Sequence, residues 1–252
     1  ITLYGDTLQK NPDCWLAHNN LGCRQSLAGR RQEAIEHYMQ ALHLKPDYFD
    51  AHNNLGVALY ETGRPLDAIE HLKQAIQLLP NSADARFNLG NALKALGQYQ
   101  QSIEQYEKAL ALKPDYYKAH NHLGLALASV GRSREAIEQY QQALKLNPDS
   151  AEVYNNQGAL LDKEGRLNEA IDYYKQALRL KPDFDTAYTN LASAYIKIGR
   201  PAEAIAAAQK ALELARSRGQ TKRIKEIEEG LNAYRAGLSE PQGSSIKPQS
   251  RP

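Results

Sequence analysis

Residues 47–80 read DYFDAHNNLGVALYETGRPLDAIEHLKQAIQLLP, and the rest of the chain repeats this stretch. Pro12, Pro46, Pro80, Pro114, Pro148 and Pro182 follow one another at a step of 34 residues. Gly29, Gly63, Gly97, Gly131, Gly165 and Gly199 keep the same step, as do Ala41, Ala75, Ala109, Ala143, Ala177 and Ala211. Three residue types held in phase over six cycles are the signature of a solenoid. Within the stretch, Ala51, Leu55, Ala58 and Leu59 recur at helical spacing, and so do Ala68, Ile69, Leu72, Ala75, Ile76 and Leu79. Gly63 separates the two runs where a helix ends on a residue of positive φ. Pro80 stops the second run, because proline has no N–H and clashes with the turn before it. The unit is two short helices and a tight turn. Neither helix buries its apolar stripe alone, so each unit stacks on the next.

A 34-residue helix–turn–helix with Leu-Gly in the first helix, glycine at the turn and A…Y…AL…P in the second resembles the tetratricopeptide repeat (TPR). The resemblance covers residues 15–216 and implies an all-α fold, a right-handed solenoid of antiparallel helix pairs. Six units are predicted, starting at Trp15, Phe49, Ala83, Tyr117, Glu152 or its neighbour, and Asp185. The pattern departs from the family at a few places. Ala192 stands for the glycine of 22, 56, 90, 124 and 158; Ser102 for an alanine; Leu72 and Ala208 for a tyrosine; Arg216 for the last proline, so the final helix is expected to run on.

Outside the six units, residues 1–14 align with the second helix of a repeat whose first half is missing. With no initiator methionine, they read as the cut end of a longer protein. Residues 217–238 carry Ile224, Ile227, Leu231 and Tyr234 at helical spacing and read as a capping helix with a polar outer face. Residues 239–252, polar and rich in Pro, Ser and Gly, read as a disordered tail.

Lys and Arg (31) nearly balance Asp and Glu (29), a net charge of +2 that argues against nucleic acid as a partner. No apolar run is long enough for a membrane span. On one helix Cys14 and Cys23 would lie roughly 13 Å apart along the axis, beyond the reach of a disulfide at about 7 Å. Two free thiols are expected, which suits a reducing compartment such as the cytoplasm. Equivalent histidine sites recur (His18, His52 and His120; His37 and His71), and equivalent sites in stacked units approach one another, so a pair could chelate. No recognised spacing supplies a third ligand, and packing in a site usually held by an aromatic ring is the favoured role. No metal, no cofactor and no catalytic constellation is expected; the chain reads as a binding module rather than an enzyme.

Asparagine repeats inside the first helices, although it is a mediocre helix former. One row is Asn20, Asn54, Asn88, Asn156 and Asn190, with His122 in the remaining place. The row just before it holds Asn19, Asn53, Asn121 and Asn155, broken by Phe87 and Thr189. An amide offers both donor and acceptor, so a row of amides suits the N–H and C=O groups of an extended peptide. In the tetratricopeptide family first helices line a concave face. The first row resembles the asparagine ladder in the repeat domain of O-linked N-acetylglucosamine transferase, which implies peptide contacts at those five asparagines. The other reading is that the amides bond between helices and help stacking. Further candidates on these helices are Asn53, Asn121, Tyr60, Phe87 and Lys94, with the aromatic rings as anchors; Glu61, Lys118, Leu125, Asp162, Lys163 and Lys197 complete the variable set. The basic residue and asparagine needed by a carboxylate clamp are missing; only Asn91 fits, and its companion is Phe87. The expected partner is therefore a protein or an extended peptide. Two rival readings are a substrate-recruiting arm of a larger, membrane-attached or soluble glycosyltransferase, and self-assembly through an open N-terminal end with Cys14, Trp15 and Leu16 at the interface.

Overall fold

The computed structural model describes residues 11–239, with side chains as far as residue 232. The half-helix expected in residues 1–10, the tail expected beyond residue 239 and the side chain of Tyr234 lie outside the described residues. Among the described residues there are thirteen α-helices and no strand. The chain divides into two compact units, residues 1–148 and 149–252. The first contains α1 (Trp15–Leu27), α2 (Arg31–Leu44), α3 (Phe49–Glu61), α4 (Pro65–Leu78), α5 (Ala83–Ala95), α6 (Tyr99–Leu112), α7 (Tyr117–Ser129) and α8 (Ser133–Leu146). The second contains α9 (Ala151–Lys163), α10 (Leu167–Leu180), α11 (Asp185–Lys197), α12 (Pro201–Ser217) and α13 (Thr221–Ser239). First helices start at the expected residues, the fifth at Ala151, and α12 runs on through Arg216 as the missing proline implies.

Each turn inside a repeat closes in the same way. In the second repeat Gly63 has φ +78°, Arg64 N–H donates to Leu59 C=O (2.9 Å) and Gly63 N–H donates to Tyr60 C=O (3.1 Å). This pair of bonds satisfies carbonyls that the helix end would otherwise strand. Between repeats the residue before each proline leaves helical geometry; Leu79 has φ −136° and ψ 84° ahead of Pro80.

In the first unit each first helix packs on its own second helix, each second helix on the next first helix, and the first helices also touch one another along α1, α3, α5 and α7. In the second unit α9 touches α11, and α13 packs on α12. Close approach depends on alanine: Ala34, Ala68, Ala136 and Ala170 are wholly buried. Ser102 replaces one of them, is equally buried, and spends its hydroxyl on the Tyr99 carbonyl at 2.9 Å.

Two of the departures from the family pattern prove to be one contact. A Cβ on Gly90 would lie 2.5 Å from the Tyr106 ring, on Gly124 2.6 Å from Tyr140, and on Gly56 2.5 Å from Leu72. Glycine is needed because a large side chain on the second helix lies flat against it. Where Ala192 replaces glycine, the facing residue is Ala208, and both line an apolar cavity of about 210 Å³ with Ile196, Ala211, Ile227 and Leu231.

Gly90→Ala should therefore lower the thermal midpoint. Overpacking costs about 1–3 kcal/mol against about 1 kcal/mol of helix propensity gained. In a Tyr106→Ala background the same change should be neutral or stabilising, as at Ala192 and Ala208. Equal penalties in both backgrounds, measured by thermal melts of the four proteins, would refute the pairing.

Candidate functional site

The two asparagine rows bond to each other across neighbouring repeats. Asn54 Nδ2 donates to Asn19 Oδ1 (3.2 Å) and to Cys23 Sγ (3.4 Å). Asn88 Nδ2 donates to Asn53 Oδ1 and, in the second unit, Asn190 Nδ2 donates to Asn155 Oδ1, each at 3.0 Å. A ladder residue thus reaches back 35 positions to the row before it. The acceptors Asn19 and Asn155 are only 4% and 6% exposed, and Asn121 in the same row is 6% exposed. Buried amides of this kind need a partner, since an orphaned one costs about 1–3 kcal/mol. The stacking role is thus present in the structure. The ladder residues Asn20, Asn54, Asn88, Asn156 and Asn190 are half-exposed, and Asn53 is half-exposed as well. Asn54 and Asn88 direct their N–H groups inward, and their Oδ1 atoms make no hydrogen bond among the described residues.

Repeats three and four break the row, and the break is self-consistent. Phe87 stands where an acceptor amide should be, so the next ladder residue has nothing to donate to there. That residue is His122, and its Nδ1 lies 2.6 Å from Asn91 Oδ1, which also accepts from Tyr106 Oη–H at 2.8 Å. An acceptor holding one hydroxyl proton requires Nδ1–H on His122. Phe87 fills the space among the rings of Tyr116 and His122, both 5.0 Å from it between centroids. Phe87, expected as an aromatic anchor, is 8% exposed and packs into the core, where the missing amide leaves an apolar slot beside His122. Asn91 was noticed only as a stray clamp residue. The one signal for its role was the coincidence of Phe87 with His122 one repeat later.

Tyr60 is half-buried and joins Val57, Glu61, Phe87, Asn88 and Asn91 around a cavity of about 200 Å³ between α3 and α5. Lys94 is half-buried, makes no ion pair among the described residues, and burial holds its ammonium below the ordinary lysine range. Several charged candidates are already paired: Glu61 with Arg31 (2.7 Å) in the first unit and Asp162 with Lys197 (2.5 Å) in the second. Cys14 and Cys23 are free thiols. Trp15 lies against Tyr48 (4.5 Å) under the Lys45 ammonium (4.3 Å), and Leu16 is exposed. Among the described residues no three His, Cys, Asp or Glu side chains converge as a metal cage, and no helix is long and apolar enough to cross a membrane.

Burial, then the nearby Lys94 and Lys118 ammonium groups, push His122 down from 6.5 to about 3. A histidine depressed in the fold leaves the unfolded chain binding more protons as pH falls. Its contribution is complete above about pH 6.5 and is lost on the way to about pH 3. Each pH unit in that window removes up to about 1.4 kcal/mol. His122→Asn restores the residue of the other repeats and should flatten this acid limb in melts compared at pH 7 and pH 4. An identical acid loss in both proteins would show that His122 does not set it.

The sequence profile described as "Cilia and flagella-associated protein 70 C-terminal domain" matches residues 5–227. No curated protein sequence matches the chain. Among solved structures, MamA aligns at 31% identity over 64% of this chain and 94% of its own, with a TM-score of 0.57. PilF of Pseudomonas aeruginosa aligns at 21% identity over 86% of this chain and 97% of its own, with a TM-score of 0.68. YrrB, described as a TPR protein with an unusual peptide-binding site, aligns at 20% identity over 73% of this chain and 95% of its own, with a TM-score of 0.58. The last two likenesses carry the fold alone. Helix pairs of fixed length, glycine turns and the profile match agree: the chain belongs to the tetratricopeptide-repeat family, within the group of the cilia and flagella-associated protein 70 C-terminal domain.

Proposed function

We propose that the chain is a protein-interaction scaffold that holds an extended polypeptide segment along the first helices of its repeats. One observation carries this reading: Tyr60, Phe87 and Asn88, chosen from sequence alone, border one cavity of about 200 Å³ on the first-helix side. That volume suits a single side chain of a guest. Tyr60 supplies a half-exposed ring at its edge, and the Oδ1 atoms of Asn54 and Asn88, which make no hydrogen bond among the described residues, supply acceptors for guest backbone N–H groups. Lys94 adds an unpaired, partly desolvated cation for an acidic group of the guest. The inward N–H groups hold the amides in place before the guest arrives, which lowers the ordering cost of binding. Phe87 acts as the floor of the cavity rather than as a contact that inserts into the guest. The peptide-binding description of YrrB is in keeping with this use of the fold.

The test begins with ten-residue peptides selected against the whole chain from a random display library. Tyr60→Ala should weaken the selected peptides about tenfold or more, the usual cost of losing a central aromatic contact. Met39→Ala, on the exposed surface of a second helix, should leave affinity unchanged. Peptides indifferent to Tyr60→Ala in a protein that still melts normally would overturn the first-helix assignment.

A further inference from the structure

Two histidine pairs stand in the first two repeats, and each joins the two helices of one repeat rather than equivalent sites of neighbouring repeats. His18 on α1 faces His37 on α2 with Nδ1 atoms 3.2 Å apart; His52 on α3 faces His71 on α4 with Nδ1 atoms 3.1 Å apart. The outer nitrogens of the first members are also fixed. His18 Nε2 lies 3.1 Å from the Pro12 carbonyl and His52 Nε2 lies 2.8 Å from the Pro46 carbonyl. A carbonyl only accepts, so each Nε2 carries the proton and each Nδ1 of a neutral ring is bare. His37 and His71 then donate Nδ1–H across the gap.

We propose that each pair is a two-imidazole chelate for a divalent transition-metal ion, zinc in the first place, with water completing the coordination. Zinc–nitrogen bonds run about 2.0–2.1 Å, so two imidazoles on one tetrahedral ion have nitrogens about 3.4 Å apart. The pairs reach that spacing by opening a few tenths of an ångström and turning both rings so that the Nδ1 lone pairs converge on the ion. Charge balances without an external acid or base: His37 and His71 give up the proton at Nδ1 and take one at Nε2, and each ring stays neutral. The bonds from His18 and His52 Nε2–H to backbone carbonyls are the outer-shell support that orients a metal-binding imidazole. All four rings are half-buried, so solvent reaches them. Glu33 and Glu36 lie near the first pair, and Asp67 and Glu70, with Arg64, near the second, so carboxylates at both offset part of the cost of placing a cation there. Nitrogen ligands select zinc-like ions over magnesium or calcium, which take oxygen.

The fourth repeat supplies the control. There His120 keeps its bond to the Pro114 carbonyl (3.0 Å), and the side-chain amide of Gln139 takes the second place, its Oε1 position 2.7 Å from His120 Nδ1; with Nε2–H given to the carbonyl, the amide bonds to the bare Nδ1 by turning its NH2 group to it. Glutamine therefore fits the site and packs there while ending the chelate. Isothermal titration of the whole chain with zinc chloride should show two equivalents. His37→Gln and His71→Gln should each retain one, and the double variant should bind at least tenfold more weakly at both. Magnesium should bind at neither. Imidazole ¹⁵N spectra of the unaltered chain should show His37 and His71 passing from the Nδ1–H to the Nε2–H tautomer as zinc is added. Should the double variant fail to fold, these spectra decide alone. Unchanged imidazole spectra at millimolar zinc, or equal zinc uptake by the unaltered and doubly substituted chains, would overturn the proposal.

Discussion

Everything in this structure depends on how near two helices of one repeat are allowed to come. The distance is set where a first-helix glycine lies under a second-helix ring, with Gly90 and Tyr106 as the type. A methyl group at the glycine would sit inside the ring's van der Waals surface, so the interface has no slack. Buried alanines on either side keep the same spacing. The helices are only thirteen or fourteen residues long in most repeats, near the lower limit at which a helix holds together by itself. Packing therefore maintains them, and the constraint at the glycine decides the geometry that packing can take. The sixth repeat relaxes the constraint from both sides, with alanine on each helix, and an apolar cavity at α13 is the result.

That fixed spacing allows the amide rows to work. Amides 35 residues apart can bond at 3.0 to 3.2 Å only if successive first helices always present the same register. Neighbouring repeats are then tied by polar bonds as well as by apolar contact. Such bonds are modest in net stability, but they are directional. A repeat slipped by one residue would bury Asn19 without a donor, so the amides fix register more than they add stability. Phe87, Asn91 and His122 show the same rule from the other side. When the acceptor is replaced by a ring, the donor changes residue type and a third side chain takes over the bond.

The fold was legible because it is written in phase: proline, glycine and alanine at a step of 34 leave no other architecture that buries both helices. Helix starts followed to within a residue. The candidate site was legible only in part. Sequence shows that Asn54 and Asn88 are repeated, but the direction of an amide is decided by what stands one repeat earlier, and that is a contact rather than a pattern. The depth of Phe87 is hidden from the sequence for the same reason. A large aromatic in a first helix reads as an anchor, and only its contact with His122 one repeat later shows how deep it sits. The histidines were read as equivalent sites stacked along the chain, whereas the short distance runs between the two helices of one repeat, from position 18 to 37 and from 52 to 71.

The stacking role of the asparagines need not compete with the binding role proposed for them. An amide has two ends of opposite character, and in Asn54 and Asn88 they face different ways. The donor end bonds to the preceding repeat, and the acceptor end makes no hydrogen bond among the described residues. An alanine ladder would stack without offering acceptors, and a serine ladder could rotate its hydroxyl away from a guest. The inward bond restrains the asparagine rotamer, so the acceptor is presented at a spacing dictated by the repeat and not by the guest. On the proposed function such a surface would recognise backbone, and backbone is common to all partners. Discrimination under that proposal would come from the places where the repeats differ, and in the first unit those include Tyr60, Lys94 and the ring-floored cavity beside Asn88.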